Sequence, residues 1–139
     1  MRKTLYYFLS CTWGILMTFC GAVAAAALCV CGYKPTKYGP CWVFIVGDGW
    51  GGVSLGPVMI MSEINAKGTH TRPHEFGHSL QNCLWGPLFL FVIAIPSVTR
   101  LMYREHQTKK GTPPTTNYDD IWFEGQATEW GNKCISHFE

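Results

Sequence analysis

The segment TRPHEFGHSLQ, residues 71–81, predicts a helix that carries two metal-binding side chains on one face. Pro73 suits the first turn of an α-helix, because its missing N–H would have no partner there. His74 and His78 stand four positions apart, and residues at this spacing lie one above the other on a helix. Glu75 lies about 100° around the helix from His74. The pattern therefore predicts two imidazoles that point at one ion, with a carboxylate beside them.

The H-E-x-x-H spacing is typical of zinc hydrolases. Two histidines hold Zn²⁺ from one side and leave the other side open to water. Zinc lowers the pKa of that water towards about 7, and a nearby carboxylate takes its proton as it attacks a carbonyl carbon. We therefore predict His74 and His78 as zinc ligands and Glu75 as the general base. The alternative is a pair of histidines that share a helix face with an incidental glutamate.

A catalytic zinc of this kind needs a third protein ligand. The first candidate is Glu124 in the segment WFEGQATEW, because Ala127 one turn later allows two helices to pack closely. The next is Glu129, which lies five residues further on and cannot share the direction of Glu124. The remaining candidates are His70, His106 and His137. We predict that Asp119 or Asp120 caps the last helix or orients a histidine.

These segments resemble the motifs of the gluzincin type of zinc metallopeptidase. In membrane members of that group, H-E-x-x-H is followed downstream by a glutamate in an E-x-x-A context, as in EGQA here. The resemblance implies His74, His78 and Glu124 as the zinc ligands, with Glu75 as the base. The chain departs from the pattern at Thr128, where gluzincin motifs usually carry an aspartate.

Over nearly its whole length, the chain also resembles an uncharacterised family of small bacterial membrane proteins. The shared patterns are WGGVSLG, HEFGHSLQN, GPLF…IPS and YDDIWFEGQAT. This resemblance implies a bacterial inner or plasma membrane location and leaves the activity open.

Composition and charge favour a membrane protein over a nucleic-acid-binding protein. Only 14% of the residues are charged, against about 25% in an ordinary soluble domain, and the net charge is +2. Residues 5–31 carry no charge and exceed the about 20 residues that a helix needs to cross the hydrocarbon core. We therefore predict a single-pass transmembrane helix, an uncleaved anchor, over residues 1–33 and a zincin-like domain over residues 34–139.

A cleaved signal peptide is the alternative for the N-terminal segment. The basic start MRK fits it, but the apolar run exceeds the about 7–15 residues typical of such signals. The basic start also favours a cytoplasmic N-terminus, whereas Lys34 and Lys37 after the run weaken that preference. The side of the membrane that holds the zinc domain therefore stays open.

The remaining patterns predict an α+β fold that is mainly helical. A β-hairpin is expected over residues 41–61, with Pro57 indicating an edge strand or a bulge. This edge either pairs with an extended peptide substrate or only covers the zinc helix. Residues 62–71 read as a loop. Helices are predicted over residues 73–84 (the H-E-x-x-H helix), 87–107 (an apolar helix) and 119–133 (the C-terminal helix).

Together these patterns predict a membrane-anchored zinc metallopeptidase that hydrolyses peptide bonds, with a peptide or protein substrate and the lipid bilayer as partners. The alternative is a non-catalytic membrane module with a structural zinc site, which usually has four protein ligands. Glu75 separates the two, because a structural site gains nothing from a carboxylate beside its ligand. Candidates to stabilise the oxyanion are Tyr103, His106 and Tyr118. Arg100 and Arg104 are candidates for a substrate carboxylate, a lipid headgroup or a solvated helix face.

Overall fold

The structure is a computed structural model that describes residues 3–138, and it confirms an α+β fold that is mainly helical. The helices are α1 (Lys3–Cys11), α2 (Ile15–Val30), α3 (Glu63–Lys67), α4 (Thr71–Trp85), α5 (Ile95–Lys109) and α6 (Trp122–Cys134). The strands are β1 (Thr36–Tyr38), β2 (Cys41–Ile45), β3 (Gly52–Leu55) and β4 (Val58–Met61). Residues 1 and 2 of the predicted anchor and residue 139 of the predicted domain lie outside the described residues.

The N-terminal apolar segment forms two helices, so the prediction of one continuous transmembrane helix is wrong. α1 and α2 meet at 94°. The bend follows from side chains that bind the rest of the fold: the buried Tyr6 hydroxyl hydrogen-bonds to Ser79 Oγ, and Trp13 Nε1 donates to the Leu84 carbonyl at 3.1 Å. Gly14 at the bend meets Asn82 at a distance that a Cβ would not allow.

None of the helices within residues 3–138 is by itself both long enough and apolar enough to cross a membrane. Two bent pairs combine such length and composition. One is α1 with α2, and the other joins Thr71–Leu88 to Leu90–Lys109 at 119°.

The strands form a four-stranded mixed sheet, which corrects the predicted two-stranded hairpin over residues 41–61. The order is β1-β2-β4-β3, with β2 and β4 parallel and the other two pairs antiparallel. The predicted second strand is itself a hairpin, because Gly56 adopts a φ of 62° and turns the chain just before Pro57. β3 lies at an edge as predicted for this segment, whereas β4 lies inside the sheet.

The predicted H-E-x-x-H helix is confirmed as α4, with Pro73 in its first turn. The predicted loop before it contains α3. The predicted apolar helix is divided into a 3-10 turn (Gly86–Leu88), a π-helical turn (Leu90–Ala94) and α5. The predicted C-terminal helix is α6, preceded by a 3-10 turn (Tyr118–Asp120). Asp120 Oδ2 accepts from the Asn117 N–H at 2.9 Å, so it caps this turn rather than α6.

α4 lies at the centre of the molecule, and its residues from Pro73 to Cys83 are all buried. One side contributes Phe76 and Leu80 to a core cluster shared with α1 and the sheet. The other side packs on α6. A second cluster joins Met17 of α2 to Phe89, Ile93 and Phe123. Removing this apolar surface from water is the main term that stabilises the arrangement.

Candidate metal centre

Small residues bring the backbones of α4 and α6 into direct contact. A Cβ on Gly77 would lie 1.8 Å from the Ala127 carbonyl oxygen, and one on Gly131 would lie 1.7 Å from the Pro73 carbonyl oxygen. Only glycine at these positions allows the two helices to lie so close. The close packing predicted from the small Ala127 is therefore confirmed, and Gly77 is its partner on α4. It places Glu124, one turn before Ala127, against the histidine-bearing face of α4.

Three side chains converge where the two helices meet. His74 Nε2 and His78 Nε2 each lie 3.1 Å from Glu124 Oε2. All three residues are buried, and Glu124 is completely so. Ligand atoms about 2.0–2.1 Å from a tetrahedral zinc would be about 3.3 Å apart, so these spacings fit a zinc-sized cation. The structure thus brings together the three residues predicted as ligands, in a group that can hold a metal ion.

The second oxygen of Glu124 supports the same interpretation. Glu124 Oε1 is buried and makes no hydrogen bond of ordinary geometry within residues 3–138, although the Ser97 and Tyr118 hydroxyls lie close to the carboxylate. A buried carboxylate oxygen without a hydrogen bond lowers the free energy of unfolding by about 1–3 kcal/mol or more, because the charged group has lost its water. A cation at this point would relieve that cost. The donor set of two imidazole nitrogens and a carboxylate oxygen suits a divalent first-row metal such as zinc or iron(II).

Hydrogen bonds behind the histidines set the orientation of both rings. Gln81 Nε2 donates to the Phe123 carbonyl oxygen at 2.8 Å and to Gln126 Oε1 at 3.0 Å. Gln81 Oε1 therefore faces His78 Nδ1, at 2.8 Å, and must accept its proton. The proton on Nδ1 leaves His78 Nε2 free to bind a cation.

His74 is oriented by Thr128 in the corresponding way. The two are 2.8 Å apart between Nδ1 and Oγ1. Thr128 occupies the position at which the gluzincin pattern has an aspartate. A carboxylate from another element is near the same ring: Asp119 Oδ1 lies 3.9 Å from His74 Nδ1. Gln81 and Thr128 were not among the site residues predicted from the sequence. Their positions, three residues after His78 and four after Glu124, were the available signal.

Glu75 lies beside the ligand group rather than in it. It is buried under β3, where a Cβ on Gly52 would come within 2.8 Å of Glu75 Oε1. Burial raises the pKa of Glu75, the nearby His78 and His74 oppose that shift, and Glu124 adds to it. A carboxylate with a raised pKa is a better proton acceptor near neutral pH than an ordinary glutamate.

Charge is strongly coupled within the ligand group. Burial alone would raise the pKa of Glu124, but hydrogen bonds from His74 and His78 outweigh it and hold that pKa well below its usual range. Burial alone would lower the pKa of His78, but Glu124 and Glu75 raise it. The two carboxylates therefore favour a positive charge at this position, which a metal cation also supplies.

The other candidate ligands lie elsewhere. Glu129 is exposed and pairs with Lys133 at 2.5 Å. His106 and His137 are exposed. His70 is exposed as well, but its Nε2 lies 3.1 Å from Asp119 Oδ2, and these two residues form a second, more open group with His74. Asp119 thus pairs with His70, whereas its distance of 3.9 Å from His74 Nδ1 is too long for a hydrogen bond that would orient this proposed ligand.

Of the residues considered for stabilising an oxyanion, Tyr118 lies at the site. Its ring centroid is 6.0 Å from that of His74, and burial raises its pKa to about 12, so the hydroxyl keeps its proton. Tyr103 is exposed on α5. Arg100 donates to the Tyr118 carbonyl oxygen at 3.2 Å, and Arg104 donates to the Thr116 carbonyl oxygen at 2.8 Å. Both arginines therefore hold the chain that carries Tyr118.

A cavity of about 300 Å³ opens beside the ligand group. His74, Glu75, His78 and Tyr118 form its polar side. The rest of its wall comes from α2, β3, the π-helical turn and α5. The candidate centre is therefore open on the side away from its protein ligands, where a substrate has room to bind.

Comparisons of the chain with protein-family models, with curated proteins and with solved structures give no match.

Proposed function

We propose that the chain is a membrane-associated zinc metallopeptidase of gluzincin type. His74, His78 and Glu124 are the metal ligands, and Glu75 is the general base. The observation that carries the proposal is that both histidine Nε2 atoms share one oxygen of a completely buried glutamate, next to a second buried glutamate and an open cavity.

In the proposed reaction, each residue has a separate task. Zinc, when bound, supplies a Lewis acid and lowers the pKa of water. Glu75 accepts a proton at its carboxylate from the attacking water and passes it to the leaving amine. The Tyr118 hydroxyl donates a hydrogen bond to the oxygen on which negative charge develops. Gln81 and Thr128 keep the histidine rings in place through their Nδ1 atoms.

The open side of the ligand group favours catalysis over a structural metal site. Catalytic zinc sites have three protein ligands and one open position, whereas structural sites usually close with four. Within residues 3–138, the buried group consists of His74, His78 and Glu124, and the cavity occupies its remaining side. In a structural site, nothing would offset the free-energy cost of burying the Glu75 carboxylate.

The proposed membrane association rests on the outer faces of α2 and α5. On α2 only Met17 and Gly21 are buried, and α5 has no buried residue. The large apolar side chains exposed on these two helices are Ile15, Leu16, Phe19, Val23, Val30, Ile95, Val98, Met102 and Tyr103. Exposed large apolar side chains in this number are typical of a lipid or protein contact. Flotation with phospholipid vesicles tests the proposal, and a chain that stays in the lipid-free fraction refutes it.

Metal analysis and one substitution test the catalytic proposal. We expect the purified protein to hold zinc at near one equivalent, and Glu75→Gln to keep that zinc while peptide cleavage falls about 10²–10⁴-fold. Loss of cleavage together with loss of zinc would instead mean that Glu75 supports the fold.

The third ligand is tested by a matched pair on α6. Glu124→Ala should lose most bound zinc, because it removes one of three ligands. Glu129→Ala, five residues later on the same helix and exposed, should keep it. Equal zinc content in the two variants would exclude Glu124 as a ligand.

A further inference from the structure

We propose that the cavity beside the candidate metal centre is a selectivity pocket that takes one bulky apolar side chain of a peptide substrate, and that the N-terminal segment forms part of it through Met17. This inference rests on the proposed peptidase function. It adds a substrate class and assigns the selectivity to named residues.

The cavity is polar at the candidate centre and mainly apolar elsewhere, where Ser54 and Ser97 add hydroxyl groups to its wall. Its ionisable residues are those of the candidate centre, His74, Glu75, His78 and Tyr118. The larger apolar wall residues include Met17, Leu55, Phe89, Ile93, Val98 and Leu101. No lysine, arginine or further carboxylate among residues 3–138 lines this cavity.

These walls select against charged side chains. A charged group placed there would lose its water without gaining a partner, whereas an apolar group gains affinity as its surface leaves water. Burial of one leucine- or phenylalanine-sized side chain improves affinity by about 10- to 100-fold. The volume of about 300 Å³ lies at the lower end of the usual range for ligand pockets and suits one large side chain with adjoining backbone.

The wall opposite β3 is shaped by the π-helical turn Leu90–Ala94. Such turns insert one extra residue into a helix and occur frequently at functional sites. Here Ile93 is completely buried at the cavity, and the small Ala94 beside it leaves space. A regular helix through these residues would present different side chains to the cavity, because each residue advances the helix by about 100°.

The N-terminal segment completes the wall. Met17 is 5% exposed, and it packs with Phe89 and Ile93 at the cavity while most of α2 faces outwards. Methionine adapts its shape to irregular apolar surroundings. A chain without this segment would have a pocket open on one side and a core that lacks Tyr6.

The test compares two zinc-directed probes on the zinc-loaded wild-type protein. Acetohydroxamate has no side group for the pocket, and an isobutyl-substituted succinyl hydroxamate has one. We expect the isobutyl probe to bind at least about tenfold more tightly, measured by calorimetry. Equal affinities would overturn the inference while leaving the proposed function intact.

Pocket-filling variants locate the effect. Ala94→Phe should remove the preference for the isobutyl probe, whereas Ile95→Phe, on the neighbouring exposed position, should keep it. If Ala94→Phe fails to fold, Val98→Phe offers a half-exposed cavity position for the same measurement. A preference that survives a folded, zinc-loaded pocket-filling variant would overturn the inference.

Cleavage of a mixed peptide library separates the two levels of the proposal. We expect cuts next to leucine, phenylalanine or methionine. Cleavage without such selectivity contradicts the pocket alone. Probe selectivity with zinc bound but no cleavage contradicts the peptidase function alone. A protein that binds no zinc contradicts the proposed function and this inference with it.

Discussion

The contact between α4 and α6 makes Gly77→Ala a sharp test of how the candidate metal centre is built. The added methyl carbon would lie 1.8 Å from the Ala127 carbonyl oxygen and 2.4 Å from its carbon. Ordinary van der Waals contact begins at 3.4 Å, so the two backbones must separate locally by about 1.6 Å. No flexible side chain is available to absorb this movement, since the opposing atoms belong to the backbone of α6.

This displacement is large on the scale of metal coordination. Metal–ligand distances hold to within about 0.2 Å, so a shift of more than 1 Å removes Glu124 from reach of a metal held by His74 and His78. We therefore expect zinc affinity to fall at least about 100-fold, the upper end of what a lost supporting residue costs. Overpacking at the helix contact should also lower the free energy of unfolding by about 1–3 kcal/mol.

The assay is a competition for zinc against chelators of graded affinity, with thermal unfolding measured in parallel. Gly68→Ala is the matched control, because its Cβ would meet its nearest neighbour at an ordinary 3.5 Å. A double-mutant cycle with Glu124→Ala identifies the cause: on that background, Gly77→Ala should cost little further zinc affinity. Wild-type zinc affinity in Gly77→Ala would refute the reasoning.

Three further predictions concern the supporting residues, the core and the N-terminal segment. Thr128→Val removes the hydroxyl that lies 2.8 Å from His74 Nδ1, and we expect zinc affinity to fall about tenfold. Thr128→Ser keeps the hydroxyl and should bind zinc about as tightly as the wild type. Equal zinc affinities of the valine and serine variants would mean that Thr128 does not orient His74. Burial raises the pKa of the Cys41 thiol to about 11 from an ordinary value of 9.0. The unfolded chain therefore releases this proton first, and stability that is present below pH 9 should fall by about 2–3 kcal/mol as the pH rises to 11. Melting curves of Cys41→Ala should show a shallower decline over this window, and an unchanged slope would contradict the assignment. Tyr6→Phe removes a completely buried hydroxyl that joins α1 to α4 and should cost about 1–3 kcal/mol of unfolding free energy, whereas Tyr33→Phe at an exposed position should cost almost none. Equal melting temperatures for these two variants would mean that α1 contributes little to the fold.

Features encoded by local patterns could be predicted from the sequence. α4 is one, because the place of Pro73 in the first turn and the spacing of His74 and His78 depend only on helix geometry. The choice of Glu124 as the first candidate for the third ligand is another, since the small Ala127 one turn later favours a close helix contact. In each case the feature depends on residues that lie close together in the sequence and on their size or helical spacing.

Features that depend on distant partners could not be predicted. The apolar run at the N-terminus has the composition of one membrane helix, yet it bends because Tyr6 and Trp13 find partners on α4, more than seventy residues away. The run that contains Gly56 folds back on itself, and β4 rather than β3 pairs with β2 in parallel. Strand pairing follows from the whole set of competing contacts, so it has little local signal.

The candidate centre likewise combines features that the sequence predicts with features that depend on distant partners. The sequence by itself determined which side chains can bind a metal and which carboxylate can act as a base, because that chemistry belongs to the residue types and their helical spacing. Only the tertiary structure decided that Gln81 and Thr128 support the histidines, that Glu129 stays in solvent, and that Met17 closes an apolar cavity beside the site. The reason is that these relations are set by how α2, α4, α6 and the π-helical turn pack, and packing is a property of the whole chain.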